Sequence, residues 1–311
     1  MSTEPISLEP LTPSEAAQLR QNYARLIQAT TPGAAFNRHF RWTEQEQTKF
    51  LSGFAIPLMD YYTLVNYVGV DRFYIAFGTN SSEVNYLGDQ LNFHLLIQGR
   101  NEMGSVLTPL FKLANPLSSA ERWSWEIKQF EKQSDFQSET IGNIFKNIST
   151  ETVVESLKTP PYPKVIAALL GVTMTSVPDI LSYEWVKEWD KNVQLDTFHK
   201  TNLEINTIDG ENIAIDQPLV GFSFKRNEFV ALIDPMYGII EKNGDGYRME
   251  FSDYEVHIYM CFHKQFMTLN PTQTNDTAGL MLAGIYKRDN TSYLLSTFHD
   301  FSAPCPPTCP R

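Results

Sequence analysis

The sequence predicts an α+β protein of two lobes, each an antiparallel sheet packed with helices; a tandem duplication is one reading of its repeated pattern, and the ordinary likeness of strand–loop–strand segments within any α+β chain is the other. Three observations carry this. First, one pattern occurs twice: a strand-like run, a polar insert, a second apolar run, then a basic, Asn-containing turn. The first copy is Gly69-Val-Asp-Arg-Phe-Tyr-Ile-Ala-Phe-Gly78 with Leu91-Asn-Phe-His-Leu-Leu-Ile-Gln-Gly-Arg-Asn101; the second is Tyr254-Glu-Val-His-Ile-Tyr-Met-Cys-Phe-His263 with Gly279-Leu-Met-Leu-Ala-Gly-Ile-Tyr-Lys-Arg-Asp-Asn290. Second, strands grouped and flanked by helices, without regular βαβ alternation, favour α+β over a doubly wound sheet. Third, 311 residues correspond to about two domains and can enclose a sizeable core.

In chain order, residues 1–13 carry three prolines and no periodicity and read as a leader. Thr12-Pro13-Ser14-Glu15 starts a helix: Thr12 or Ser14 caps, proline suits a first turn, and the acid suits the positive end. Ala16, Leu19, Tyr23, Leu26 and Ile27 follow at helical spacing, and Thr31-Pro-Gly33 stops them. Phe36, Arg38, Phe40 and Trp42 share the face of a short strand. Thr43-Glu-Gln-Glu46 resembles a capping box, opening a helix with Phe50, Leu51 and Phe54 inward that ends at Pro57. Residues 58–68 suit helix or strand. Phe73, Ile75 and Phe77 form one strand face, with Tyr74 and Ala76 on the other. Residues 78–90 form a long loop between antiparallel strands, and Phe93, Leu95 and Ile97 alternate again. Val106 to Leu113 supplies a third strand, which Pro109 would confine to an edge.

From Asn115 to Lys158 three helical stretches are expected, the first capped at Ser118 and holding Trp123, Ile127 and Phe130. Thr159-Pro-Pro-Tyr-Pro163 breaks the pattern. It divides a first lobe, 1–158, with its helical extension from about 115, from a second lobe, 159–311. The second half repeats the order. A helix covers Lys164–Gly171, and a longer one covers Leu181–Phe198 with Trp185 and Trp189 at i, i+4. A hairpin follows through Asp209-Gly210. Val220–Phe224 matches the 36–42 strand and Arg226–Ile233 matches the 44–51 helix. Val256, Ile258, Met260 and Phe262 then face one way, and His257, Tyr259, Cys261 and His263 the other. Leu280, Leu282 and Tyr293–Phe298 complete the sheet.

Composition bounds function. A net charge of −11 argues against a nucleic-acid partner, whose phosphates need a basic footprint. No apolar run reaches the roughly 18–20 residues of a membrane span. The N-terminus has acids where a signal peptide has bases, so the expected location is the cytoplasm; signal-less export leaves no readable trace.

The final stretch, residues 279–290, then a strand and Pro304-Cys-Pro-Pro-Thr-Cys309, resembles the C-terminus of uncharacterised bacterial proteins with a Cys-Pro-Pro-x-Cys tail. The resemblance covers about residues 279–309, and the tail is its specific part. The first half has no cysteine, so it carries no second tail. The resemblance implies no activity.

The sharpest chemical pattern is His257-x-Tyr259-x-Cys261-x-His263. Imidazole and thiolate are good zinc ligands. Positions i and i+4 on one strand stand about 13 Å apart, so one strand cannot hold an ion alone; Cys261 and His263 would chelate only with ligands from elsewhere. Against this stands a plain polar sheet face. Cys305 and Cys309 read as a disulfide or free thiols, with metal binding as the competing reading; the spacing and the prolines do not suit a redox Cys-x-x-Cys helix. Asn243–Glu250 lacks EF-hand spacing. No nucleophile elbow, phosphate loop or dinucleotide fingerprint occurs, so no cofactor and no catalytic residue is assigned. Trp123/Trp125, Trp185/Trp189 and Tyr61/Tyr62 suit core or interface. The expected function is therefore a non-enzymatic binding or assembly protein acting through aromatic-rich interfaces, with a protein partner or self-association. One alternative is a hydrolase or metal-dependent enzyme with dispersed residues, for which His257, Cys261, His263 and the tail cysteines are first suspects. The other is a cargo or effector of a signal-peptide-independent secretion apparatus.

Overall fold

The computed structural model describes residues 8–29, 36–118, 179–195, 198, 203–209, 213–226, 229, 254–263, 277–288, 291–294 and 303–305. They form two six-stranded antiparallel sheets, a separate two-stranded hairpin and a few helices, an α+β architecture.

The first elements are β1 (Leu8–Pro10) and α1 (Pro13–Ala29). The supposed leader thus contains an edge strand, paired with β6 (Phe111–Leu113). The α1 start is a capping box: the Thr12 N–H donates to Glu15 Oε2 (2.8 Å) and the Glu15 N–H to Thr12 Oγ1 (3.3 Å). Phe36–Trp42 is not a strand throughout. Asn37–Phe40 is a 3-10 turn, and β2 (Arg41–Glu44) starts after it. The expected helix over 44–54 is also corrected: Gln47–Pro57 is β3, joined to β2 by a two-residue turn. Gln45 and Glu46 take φ 49 and 64, the left-handed pair of a type I′ hairpin that Asn-Gly normally supplies. Without those residues the turn was hidden, and helix-forming Glu, Gln and Lys suggested the wrong element. Sheet pairing on both sides of β3 overrides that local preference.

After β3 come α2 (Leu58–Val65), β4 (Arg72–Thr79) and β5 (Phe93–Arg100). β4 and β5 pair antiparallel across the long loop, as expected. β6 lies between β1 and β5 and so is not an edge; Pro109 precedes it and owes the ladder no N–H. At 115–118 the expected helical extension gives way to β7 (Asn115–Ser118), which pairs with β3. The helices expected over 119–171 and the joint at 159–163 lie outside the described residues. α3 (Asp179–Gln194) is the Trp-bearing helix. β8 (Glu204–Asp209) and β9 (Ile213–Pro218) form the expected hairpin, followed by β10 (Gly221–Lys225). β11 (Tyr254–His263), β12 (Thr277–Arg288), β13 (Thr291–Leu294) and β14 (Ala303–Cys305) complete the described chain.

The first sheet has the order β1-β6-β5-β4-β10-β14. The second runs β13-β12-β11-β3-β2, with β7 also on β3. Each sheet mixes strands from both halves of the sequence: β10 lies beside β4, and β11 beside β3. The sheets therefore do not separate at residue 158. Phe73, Ile75 and Phe77 of β4 and Val256, Ile258 and Met260 of β11 belong to one continuous core. Tyr74 and Ala76, on the other β4 face, join a small second cluster with Leu96 and Leu110. Among the described residues no helix is long and apolar enough to cross a membrane.

Candidate functional site

Alternation along β11 sends Val256, Ile258, Met260 and Phe262 into the core and leaves Glu255, His257, Tyr259 and Cys261 for the opposite face. Along this face Glu255 stays partly exposed, whereas His257 is 2% exposed and Tyr259 and Cys261 are fully buried. Small residues flank His257 on both sides and Tyr259 on its β3 side. His257 lies opposite Ala283 on β12 and Ala55 on β3, and Tyr259 lies opposite Met281 and Gly53.

The polar side chains of this row are linked. His257 Nε2 is 2.8 Å from Glu255 Oε2, and Nδ1 is 3.0 Å from the Tyr259 hydroxyl. An ionised carboxylate only accepts, so Nε2–H donates to Glu255. In the neutral ring Nδ1 accepts from the tyrosine hydroxyl; in the imidazolium it donates. The chain can therefore hold a proton on the imidazole with a carboxylate to stabilise it. Its first member, Glu255, was missed in the sequence, although its i−2 spacing from His257 was the available signal.

These contacts occupy both ring nitrogens of His257. Cys261 lies on the same face, one pleat beyond Tyr259, while for His263 only the backbone, opposite Thr277, is described. Among the described residues no group of three or more His, Cys, Asp or Glu is placed to hold a metal ion. Cys305 lies in β14, opposite Gly221; Cys309 is outside the described residues, as are Trp123 and Trp125. Of the other aromatic pairs, Trp185, Trp189 and Tyr61 are buried, whereas Tyr62 is exposed.

A second polar node, unread in the sequence, closes the β4–β5 loop. Asn92 donates through Nδ2 to His39 Nδ1 (2.7 Å) and to the Ser81 carbonyl (3.1 Å), and its Oδ1 accepts from the Ser81 N–H (2.8 Å). His39 Nε2 faces the Val84 carbonyl at 3.3 Å, and Tyr86 stacks on the ring. Burial holds the His39 pKa down to about 4, against a smaller opposing effect of the Val84 carbonyl. This node is a neutral structural latch.

The surface differs in kind. Met59 and Tyr62 on α2, Tyr67 and Val68 after it, and Met103, Val106 and Leu107 between β5 and β6 are all exposed, Val68 at 92% and Met103 at 87%. The two loops meet: a Cβ on Gly69, whose φ is +78, would sit 3.5 Å from Leu107 Cδ1. They are also held. The Glu102 N–H donates to Asp71 Oδ2 (2.9 Å), the Ser105 N–H to Asn101 Oδ1 (2.7 Å) and the Leu107 N–H to the Gly99 carbonyl (3.0 Å). The result is an ordered apolar surface. No family model matches this chain, and no curated protein or solved structure matches it either.

Proposed function

We propose that this protein is a non-enzymatic binding or assembly protein that engages a protein partner, or another copy of itself, through an exposed apolar surface bearing two tyrosines. The observation that carries the reading is the cluster of Met59, Tyr62, Tyr67, Val68, Met103, Val106 and Leu107, exposed on two hydrogen-bonded loops and one helix face. Large apolar side chains exposed together on neighbouring segments mark interaction sites, and exposed Tyr and Met are enriched at interfaces. A photo-crosslinking side chain at position 68 of the full chain tests it. The expected outcome is one discrete protein adduct, lost when Met103→Asp and Leu107→Asp are added while the melting temperature stays put. A chain that gives no adduct, or one indifferent to those substitutions, defeats the proposal.

The enzyme reading retains one observation in its favour, the Glu255–His257–Tyr259 chain. Burial of His257 and Tyr259 places it second, because a substrate must reach the groups that act on it. Metal analysis with thiol titration of the purified protein separates the two: stoichiometric zinc would favour the enzyme.

A further inference from the structure

We infer that the chain is a tandem duplication whose two units have exchanged strands, β3 and β7 of the first half lying in the second sheet and β10 and β14 of the second half in the first, so that each half completes the sheet of the other. The sheet orders carry this. In the first sheet β6-β5-β4-β10-β14 run side by side; in the second, β13-β12-β11-β3-β7. Reading across, β4 corresponds to β11, β5 to β12, β6 to β13 and β7 to β14. The strand beside β4 is β10, from the second half, and the strand beside β11 is β3, from the first.

The register agrees to the residue. Gly53 of β3 lies opposite Tyr259 of β11 and Leu117 of β7; Gly221 of β10 lies opposite Ala76 of β4 and Cys305 of β14. A Cβ on Gly53 would meet the Ile258 carbonyl oxygen at 2.3 Å and the Tyr259 Cα at 2.9 Å; on Gly221 it would meet the Ile75 carbonyl oxygen at 2.3 Å and the Ala76 Cα at 2.9 Å. Each unit therefore needs glycine at the same place for the same close approach. The sequences around them agree once aligned on this point: Leu51-Ser-Gly-Phe-Ala-Ile56 and Leu219-Val-Gly-Phe-Ser-Phe224. Val220–Phe224 thus matches β3 rather than the 36–42 segment, and the residues after it match α2.

Two side-chain contacts repeat the relation independently. Tyr23 of α1 donates its hydroxyl to the Leu219 carbonyl (2.7 Å), and Trp189 of α3 donates Nε1–H to the Leu51 carbonyl (2.8 Å). Each helix lies on its own half's strand, α1 on β4 and α3 on β11, and reaches the other half's backbone two residues before its glycine. Tyr61 and Phe229, each five residues beyond the aligned segment, stack on one another with planes 5° apart, as equivalent side chains do beside a two-fold axis. The alignment also isolates what one copy adds: Glu255, His257 and Tyr259 stand where the first unit has Arg72, Tyr74 and Ala76.

Two experiments on the full chain test this. Val220→Ser, Ser223→Ala and Phe224→Ile together give the second unit the first unit's strand; Ser52→Val, Ala55→Ser and Ile56→Phe do the reverse. Both chains are expected to fold cooperatively, melting no more than about 10 °C below the parent. Hydrogen-exchange mass spectrometry then reads the exchange of strands: Gly221→Ala is expected to speed amide exchange in residues 72–79, and Gly53→Ala in residues 254–263, each in the opposite half. Where an alanine chain does not fold, the strand-swapped chains supply the same reading. Strand-swapped chains that cannot fold while the alanine chains do would overturn the equivalence. Faster amide exchange confined to the substituted half would overturn the strand exchange.

Discussion

Acidification should unlatch the β4–β5 loop through His39. The ring is 1% exposed, with Nδ1 accepting from Asn92 and Nε2 against the Val84 carbonyl. A second proton on Nδ1 would point at the Asn92 amide hydrogens and place a charge in the core. Burial accordingly lowers the pKa from 6.5 to about 4. The unfolded chain then binds the proton more readily than the folded chain between these values, so stability present above pH 6.5 is lost as pH falls toward 4. A 2.5-unit difference corresponds to roughly 3 kcal/mol in full, of which about 2 kcal/mol is gone by pH 5. Urea denaturation at pH 7, 6, 5 and 4.5 measures it in the parent and in His39→Gln, which cannot titrate. The variant should start lower at pH 7, by about 1–2 kcal/mol for disturbed hydrogen bonds, and lose about 2 kcal/mol less on going to pH 5. An identical pH slope in parent and variant would refute the reasoning.

Other outcomes follow from particular contacts. His94, also held to about 4 by burial first and by Lys112 second, should contribute a similar acid-labile increment; His94→Gln should flatten the same stretch of the urea-derived pH profile. Trp189→Phe and Tyr23→Phe each leave a backbone carbonyl without its donor and should cost about 1–3 kcal/mol apiece by urea denaturation. Thr12→Ala removes the α1 capping box and should cost about 1 kcal/mol, with less helical circular dichroism. Gln45→Asn with Glu46→Gly relieves two positive φ angles and should raise the melting temperature by a few degrees, from about 1 kcal/mol of turn stabilisation.

The residues explain where sequence reading succeeded. β4 and β5 were legible because Phe73, Ile75, Phe77, Phe93, Leu95 and Ile97 alternate over full strands and all reach the core. α1 was legible because Thr12 and Glu15 cap it locally. β3 was not: Gln45-Glu46 lacks the residues that mark a two-residue turn, and Glu, Gln and Lys favour helix in isolation. The candidate site was half legible. Period two placed His257, Tyr259 and Cys261 on one face. That Glu255 and Tyr259 bind the two nitrogens of His257 depends on side-chain conformations that spacing does not specify. His39 and Asn92, 53 positions apart, had no shared signal at all.

By itself the sequence determined the α+β class, the neighbouring antiparallel pairs β4–β5 and β8–β9, and the faces of β4, β5 and β11, because alternation and capping act over a few residues. The tertiary structure decided which strands lie side by side. Pairing β10 with β4 and β11 with β3 joins residues more than 140 positions apart. That choice rests on a shared core and on glycines, Gly53 and Gly221, that let one backbone approach another. Neither condition is visible along a single strand.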